Sequence, residues 1–287
     1  MSLFDQIKPD RPMLMGILNI TPDSFSDGGV FYQDGKLNID SVIRSAESML
    51  EAGADILDIG GESTRPGAVR PSTQDELDRV APVVEILFEK LGCDISVDTS
   101  RLEVMQQAVA SGAKLINDVR ALSEPGAIEF LSLSDVSLCL MHMQGRPDSM
   151  QENPEYSEPV LEVYEFLQHR VQACLDAGIA RDKIAIDPGF GFGKSHQHNM
   201  TLMAQLPRFT EMGLPLLVGV SRKGMIGELT QKPLQSRLAG SIAMAQVALD
   251  RGANILRVHD VAETYDMIRV WAAINRLKEG NQKNNND

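Results

Sequence analysis

Cysteine is scarce in this chain: Cys93, Cys139 and Cys174 are its only three among 287 residues. An odd, unpatterned trio supports neither a disulfide framework nor a paired zinc motif, and it reads as reduced, buried thiols in a cytoplasmic protein. Positive charge is also short. Lys and Arg number 27 against 40 Asp and Glu, a formal charge of −13. Nucleic acid and membrane surfaces both favour a basic face, so neither is expected as a partner. An anionic small molecule remains open, because it needs only a few local cations. No apolar run approaches the roughly 18 residues of a spanning helix, and the polar first residues lack a secretory core, so we expect neither a membrane span nor a leader. There is no HExxH, no paired CxxC and no Ser-His-Asp order to suggest metal-assisted or nucleophilic hydrolysis.

What is present is a repeated unit. Six times a helix-like run ends in glycine and a short apolar run follows. Gly53 precedes Ile56-Leu57-Asp58, Gly92 precedes Ile95-Ser96-Val97-Asp98, and Gly112 precedes Leu115-Ile116-Asn117-Asp118. Gly178, Gly213 and Gly252 lead in the same way to runs at 184–187, 216–219 and 255–259. A helix-stopping glycine followed by a buried strand is the α-to-β half of a βα unit. Runs at 14–19 and 137–142 raise the count of strands to eight. The strands are continuously apolar, as parallel strands covered by helices should be. The intervening helices show apolar stripes: Val42, Ile43, Ala46, Met49 and Leu50; Leu77, Val80, Ala81, Val84, Leu87, Phe88 and Leu91; Val160, Val163, Tyr164, Leu167 and Val171; Leu238, Ile242, Ala245 and Leu249. Pro82 is expected to kink or restart the second of these helices.

Functional-looking residues end nearly every strand, which favours a single (β/α)8 TIM barrel over an open doubly wound sheet. The domain is expected to span residues 12–278, with 1–11 and 279–287 as flexible termini. Three loops, at 21–38, 62–73 and 144–158, are longer than a barrel needs. These extended βα loops 1, 2 and 5 lie on the carboxyl-end face and are candidate lids.

Asp98, Asn117 and Asp187 close the third, fourth and sixth strands. Together, carboxylate and amide groups in an apolar cup can read a flat heterocycle with adjacent N–H donors. Each alone also suits a turn or a helix start. Lys223, Arg257 and His259 end the last two strands, the common phosphate corner of barrels. With Arg65 they form an anion site, or else salt bridges to neighbouring carboxylates. Asn19, with Asp23 and Asp27 beyond it, offers the hard oxygen ligands that suit Mg²⁺ shared with a phosphate. Gly189-Phe190-Gly191-Phe192-Gly193-Lys194 lacks both Walker and Rossmann spacing. It is either a glycine-rich approach for a ligand ring, with Phe192 as a stacking face, or a plain strand-to-helix turn. His142, His196 and His198 lack the companions of a zinc motif, and the last two suit a solvated helix start.

The strand ends also carry a close resemblance. The run Ile17-Leu18-Asn19-Ile20-Thr21-Pro22-Asp23-Ser24-Phe25-Ser26-Asp27-Gly28-Gly29 resembles the first signature of the dihydropteroate synthase family, and Asp58 to Gly67 resembles the second. Ser96-Val97-Asp98-Thr99, Ile116-Asn117-Asp118-Val119, Met141-His142-Met143, Ile186-Asp187-Pro188-Gly189, Ser221-Arg222-Lys223 and Arg257-Val258-His259-Asp260 match the remaining strand ends in order. The resemblance implies a bacterial folate-pathway transferase that joins 6-hydroxymethyl-7,8-dihydropterin diphosphate to p-aminobenzoate, with Mg²⁺. It places the pterin on Asp98, Asn117, Asp187 and Lys223, with Met141 nearby. The diphosphate falls to Asn19 with Mg²⁺, Thr64, Arg257 and His259. p-Aminobenzoate, and sulfonamide inhibitors competing with it, fall between Phe192, Lys223 and the closing residues Phe25, Asp27, Arg65 and Pro66. Gly224 stands where some relatives carry a larger side chain, which shifts the p-aminobenzoate carboxylate toward Ser221 or backbone amides. A homodimer through the last helices, around Trp271, is implied as well. A corrinoid methyltransferase would share the pterin floor but has no use for the first signature. An inactive homologue would have lost Lys223 or Arg257, and both are intact.

Overall fold

The computed structural model describes residues 2–22, 31–33, 36–63, 70–145, 150 and 154–284. Eight parallel strands form the centre: β1 (Met13–Asn19), β4 (Ile56–Gly60), β5 (Asp94–Asp98), β6 (Leu115–Asp118), β7 (Ser137–Met141), β8 (Ile184–Asp187), β9 (Leu217–Val218) and β10 (Ile255–Val258). A small hairpin, β2 (Tyr32–Gln33) with β3 (Lys36–Leu37), lies in the first loop. The strand order is β8-β7-β6-β5-β4-β1-β10-β9, every pair parallel. A bridge from Ile186 to Leu216 joins the two ends of that order and completes the ring. The TIM barrel read from the glycine-strand repeat is the observed architecture.

The outer layer is formed by α1 (Ile39–Glu51), α2 (Thr73–Leu91), α3 (Leu102–Ala110), α4 (Ala127–Ser132), α5 (Pro159–Asp176), α6 (His196–Ala204), α7 (Pro207–Thr210), α8 (Gly224–Thr230), α9 (Leu238–Asp250) and α10 (Val261–Asn284). Their starts are capped as the sequence dictates. The Asn38 side chain accepts from the Ser41 amide, and Ser72 with Asp75 forms a capping box on α2. Gly92 ends α2 in the left-handed conformation that a side chain would resist.

Two helices differ in detail from their predicted stripes. α2 runs as one helix through Pro82, and its buried face is Glu76, Val80, Val83, Val84 and Leu87. Phe88 is instead 43% exposed and lies over Gly112, where an added Cβ would fall 2.8 Å from its ring. On α9 the buried residues are Ser241, Ala245, Ala248 and Leu249, while Leu238 turns outward and Ile242 packs half-buried at the edge of the core. All three cysteines are free; Cys139 and Cys174 are buried, and Cys93 is only partly so.

The amino-terminal residues correct another expectation. Rather than a loose start, Leu3–Gln6 form a 3₁₀ turn capped by Ser2, whose hydroxyl donates to the Asp182 carbonyl at 2.5 Å. Leu3 and Phe4 are buried against Met13, Met15, Ile56, Leu115, Cys139, Ala185, Leu217 and Ile255. These residues fill the lower interior of the barrel, and the turn closes its amino-terminal mouth. A separate, larger apolar cluster packs the helices on the outer face of the strands.

Candidate active site

Side chains two positions apart on a strand point to the same face. Five residues of the lower interior are therefore followed, one layer up, by a residue of a cup at the carboxyl end. Ile56 is followed by Asp58, Leu115 by Asn117, Cys139 by Met141, Ala185 by Asp187 and Ile255 by Arg257, while Asp98 closes β5 beyond Ser96, which pairs in register with Asp58. Above that floor opens a cavity of about 790 Å³, whose lining includes Asn19, Asp98, Phe192, Ser221, Lys223, Arg257 and His259.

Arg257 is the centre of the floor. Its Nε donates to Asp58 Oδ2 at 2.5 Å and its Nη2 to Asp98 Oδ2 at 3.0 Å. Asp58 is fully buried and is held in turn by the Ser96 hydroxyl at 2.5 Å and by Asn117 Nδ2 at 3.2 Å. The salt-bridge alternative for Arg257 is thus realised, yet its Nη1 has no partner among the described residues. Asn117 Oδ1 is buried and accepts nothing from the described residues. Asp187 Oδ1 takes the Gly189 amide at 2.7 Å.

The charges of this cup act on one another. Burial pushes the Asp98 carboxyl up, opposed by the adjacent Arg257. Burial likewise raises Asp187, opposed by Lys223. Burial lowers Lys223 to about 8, with Asp187 pulling the other way. Met141 pairs in register with Asp187 on the neighbouring strand. Asp98, Asn117, Asp187, Lys223 and Arg257 therefore meet in one place, although nearly 160 positions separate the first from the last.

The glycine-rich segment is a turn between β8 and α6, and it also shapes the cavity. Lys223 Nζ donates to the Phe190 carbonyl at 2.5 Å and stands 4.5 Å above the Phe192 ring. Gly189 is obligatory: at φ +71° an added Cβ would fall 1.9 Å from the His142 carbonyl oxygen. On the opposite side, Ser221 Oγ accepts from the His259 amide and lies 3.2 Å from His259 Nδ1. The three histidines do not converge. His142 Nδ1 faces Lys194, His196 pairs with Glu228 at 3.3 Å, and His198 Nδ1 accepts from the Ser195 amide at the start of α6.

Asp23, Phe25, Asp27, Thr64, Arg65 and Pro66 lie outside the described residues. Of the residues that sequence reasoning had not singled out for the site, Asp58, Ser96, Lys194 and Asn199 are the most consequential. Asp58 closes the run Ile56-Leu57-Asp58 in sequence yet sits mid-strand, and its alternation with Ile56 places it in the cup. For a divalent cation the cup offers Asn19, whose Oδ1 faces the space above Gly60, 3.5 Å from where a Cβ there would lie. The described residues hold no group of three or more His, Cys, Asp or Glu that could hold a metal. That donor set fits Mg²⁺, which keeps waters and takes phosphate oxygens rather than a full protein cage.

The barrel and its acidic, amide-bearing cup define a pterin-binding enzyme. Residues 15–259 match the model of the pterin binding enzyme family. The dihydropteroate synthase of Haemophilus influenzae is 52% identical over 262 residues, covering 91% of this chain and 94% of its own. Among solved structures, the Yersinia pestis dihydropteroate synthase in complex with a sulfonamide drug superposes with a TM-score of 0.89 at 48% identity, covering 94% of this chain and 96% of its own. The Xanthomonas albilineans enzyme in complex with 7,8-dihydropteroate gives 0.83 at 45% identity, covering 94% and 95%. The chain belongs to the dihydropteroate synthase family.

Proposed function

We propose that this cavity condenses 6-hydroxymethyl-7,8-dihydropterin diphosphate with p-aminobenzoate, giving 7,8-dihydropteroate and diphosphate. The observation that carries the assignment of roles is the unsatisfied Asn117 Oδ1 in a cup with the buried Asp58 and Asp187 and the half-buried Asp98. A buried acceptor without a donor costs about 1–3 kcal/mol, and a flat ring with several N–H groups would relieve it. Asp98 and Asp187 would take the remaining ring donors. Product and sulfonamide complexes of the Xanthomonas and Yersinia relatives support the same small-molecule partners here.

The diphosphate falls on the side of Asn19, Arg257 and His259. Arg257 has Nη1 to offer an anion while its other two nitrogens stay on Asp58 and Asp98. Asn19 would hold Mg²⁺, which supplies charge neutralisation for the leaving group when bound. The C–O bond to diphosphate breaks with both electrons leaving on oxygen, and the methylene carbon becomes cationic. Asp98 and Asp187, beneath the ring, favour that charge. The uncharged aniline nitrogen then forms the C–N bond and loses a proton, so positioning serves where a strong base would otherwise be needed. This is an SN1-like path with the pterin bound first. p-Aminobenzoate lies against Phe192 and Lys223, closed in by Phe25, Asp27, Arg65 and Pro66, with Ser221 toward its carboxylate, while Thr64 falls to the diphosphate.

Diphosphate release that requires both substrates tests the reaction, and release with either alone at the full rate refutes the coupling. Capture of the methylene by a non-aromatic nucleophile, without p-aminobenzoate, tests the path. A steep dependence of a chemistry-limited rate on nucleophile basicity would rule it out.

The reading includes a homodimer in the cytoplasm. On α10, Val270, Ile274 and Leu277 are 63%, 53% and 71% exposed and share one face. Val270 and Ile274, with Trp271 of the same helix and Ile242 of α9, line a second cavity of about 430 Å³. Such a stripe on a surface helix suits a second copy of the chain. Among the described residues no helix is long and apolar enough to cross a membrane. Sedimentation of the wild type against Ile274→Glu distinguishes dimer from monomer.

A further inference from the structure

We propose that Lys194 is a positioning residue for the condensation: its buried side-chain nitrogen gathers the glycine-rich turn onto the end of β7 and so sets the place of Phe192. This rests on the reading that p-aminobenzoate lies against Phe192.

Lys194 is 2% exposed. Its Nζ lies 2.9 Å from His142 Nδ1, 2.9 Å from the Gly189 carbonyl, 3.0 Å from the Phe192 carbonyl and 3.3 Å from the His142 carbonyl. All four are uncharged acceptors, so this is no ordinary salt bridge. An ammonium has three N–H donors, and three of the four contacts are short. Two of the carbonyls belong to Gly189 and Phe192 of the glycine-rich run, and the imidazole belongs to His142, the residue just past the end of β7. A single nitrogen thus fixes two points of the turn to the end of β7.

The rest of the turn leaves it nowhere else to rest. Gly193, at φ +60°, would bring a Cβ to 2.3 Å from the Gln144 carbonyl, just as Gly189 would strike His142. Asn199 holds the middle, accepting from the Gly191 amide at 2.7 Å and donating to the Lys194 and Ser195 carbonyls at 3.2 and 2.8 Å. The turn's contribution to the cavity wall is the half-buried Phe192 under the Lys223 ammonium. Lys223 reaches the same turn from the cavity side through Phe190. One lysine therefore faces the substrate and the other the protein.

The anchor tolerates loss of its proton. Burial lowers Lys194 to about 7, with Asp187 opposing and Lys223 reinforcing, and burial with the charge of Lys194 lowers His142 to about 3. His142 is therefore neutral and can take either tautomer. As a cation, Lys194 donates to Nδ1. As an amine, it keeps two N–H groups for Gly189 and Phe192, and Nδ1–H donates to its lone pair. Tyr156, His198 and Phe166 pack around this imidazole or its neighbours, and among the described residues none brings a carboxylate into contact with it.

The test is Lys194→Met, which keeps the side chain's bulk and removes its donors. The Michaelis constant for p-aminobenzoate is expected to rise tenfold or more, with affinity for the pterin diphosphate within threefold of wild type. Lys194→Ala, which opens a space beside the cavity, should recover part of its activity with added methylammonium. Phe192→Ala serves as the control for the underlying reading. If Phe192→Ala raises the p-aminobenzoate constant and Lys194→Met does not, the positioning role is wrong. If Phe192→Ala itself has no effect, the placement of p-aminobenzoate is wrong instead. Parallel loss of pterin affinity, p-aminobenzoate affinity and thermal stability, without rescue by methylammonium, would reduce Lys194 to a fold-supporting residue and overturn the proposal.

Discussion

Two layers of the same barrel, one residue pair apart, are built to opposite specifications. The lower interior is Met13, Met15, Ile56, Leu115, Cys139, Ala185, Leu217 and Ile255, sealed by Leu3 and Phe4. The upper is Asp58, Asp98, Asn117, Asp187 and Arg257, of which Asp98 and Arg257 line the cavity. The strands impose the same geometry on both, since alternation alone assigns each residue its layer. What differs is hydrogen-bond accounting. The lower layer has no side-chain donor to satisfy, whereas the upper one has more acceptors than the protein's own donors fill. Stability is drawn from one and recognition from the other, as barrels generally divide them.

The largest break in that division is expected from Asp58→Ala. It removes the partner of Arg257 Nε and strands Ser96 and Asn117. Breaking such a buried pair costs about 3–5 kcal/mol, so both turnover and the urea midpoint should fall; an unchanged midpoint would show that the upper layer carries no structural weight. In the lower layer, Phe4→Ala should cost about 3 kcal/mol of stability by vacating a packed site. Turnover per folded molecule should remain that of the wild type, and a changed Michaelis constant would mean that the layers are not independent. Asp187→Ala should weaken pterin diphosphate binding about a hundredfold, near 2–3 kcal/mol for a buried donor left unpaired. Calorimetric titration measures it, and near-normal affinity would remove Asp187 from the pterin floor.

The smallest effect concerns pH. Lys194 titrates near 7 when folded against 10.5 in its ordinary environment. Between those values the unfolded chain holds a proton that the native one has released, so this group's contribution to stability rises with pH across that window. Below 7 both states are protonated and the cost of burying the charge is constant. Wild type should therefore gain stability on Lys194→Met between pH 7 and 10, read as the difference of their thermal midpoints. A constant difference would mean that burial does not depress this lysine.

The sequence exposed the upper layer where an apolar run ended in a polar residue, as at Asp98, Asn117 and Asp187. Asp58 closes the run Ile56-Leu57-Asp58 in the same way, although two residues of its strand, Ile59 and Gly60, follow it. Lys194 escaped because its neighbours resemble a phosphate loop, and nothing local shows that its nitrogen turns inward. Leu3 and Phe4 escaped because two apolar residues carry no period. On the outer surface, apolar stripes located α2 and α9, but the exposed Phe88 and Leu238 show that a stripe does not state which of its edges meets the core. The partner of Phe88, Gly112, comes from a later part of the chain.

The ring of strands also has a seam. Between β8 and β9 the joint is a single bridge, Ile186 to Leu216, with the Ile186 amide donating to the Pro215 carbonyl. Opening there is the least costly breathing motion the barrel can make, because every other strand boundary has a longer ladder. Asp187 lies on one side of the seam and Lys223 just past the other. A pterin gripped by both would staple it, so amide exchange at Ile186 should slow on ligand binding more than exchange on the far side of the ring. The substrate is thereby a structural member of the barrel for as long as it stays.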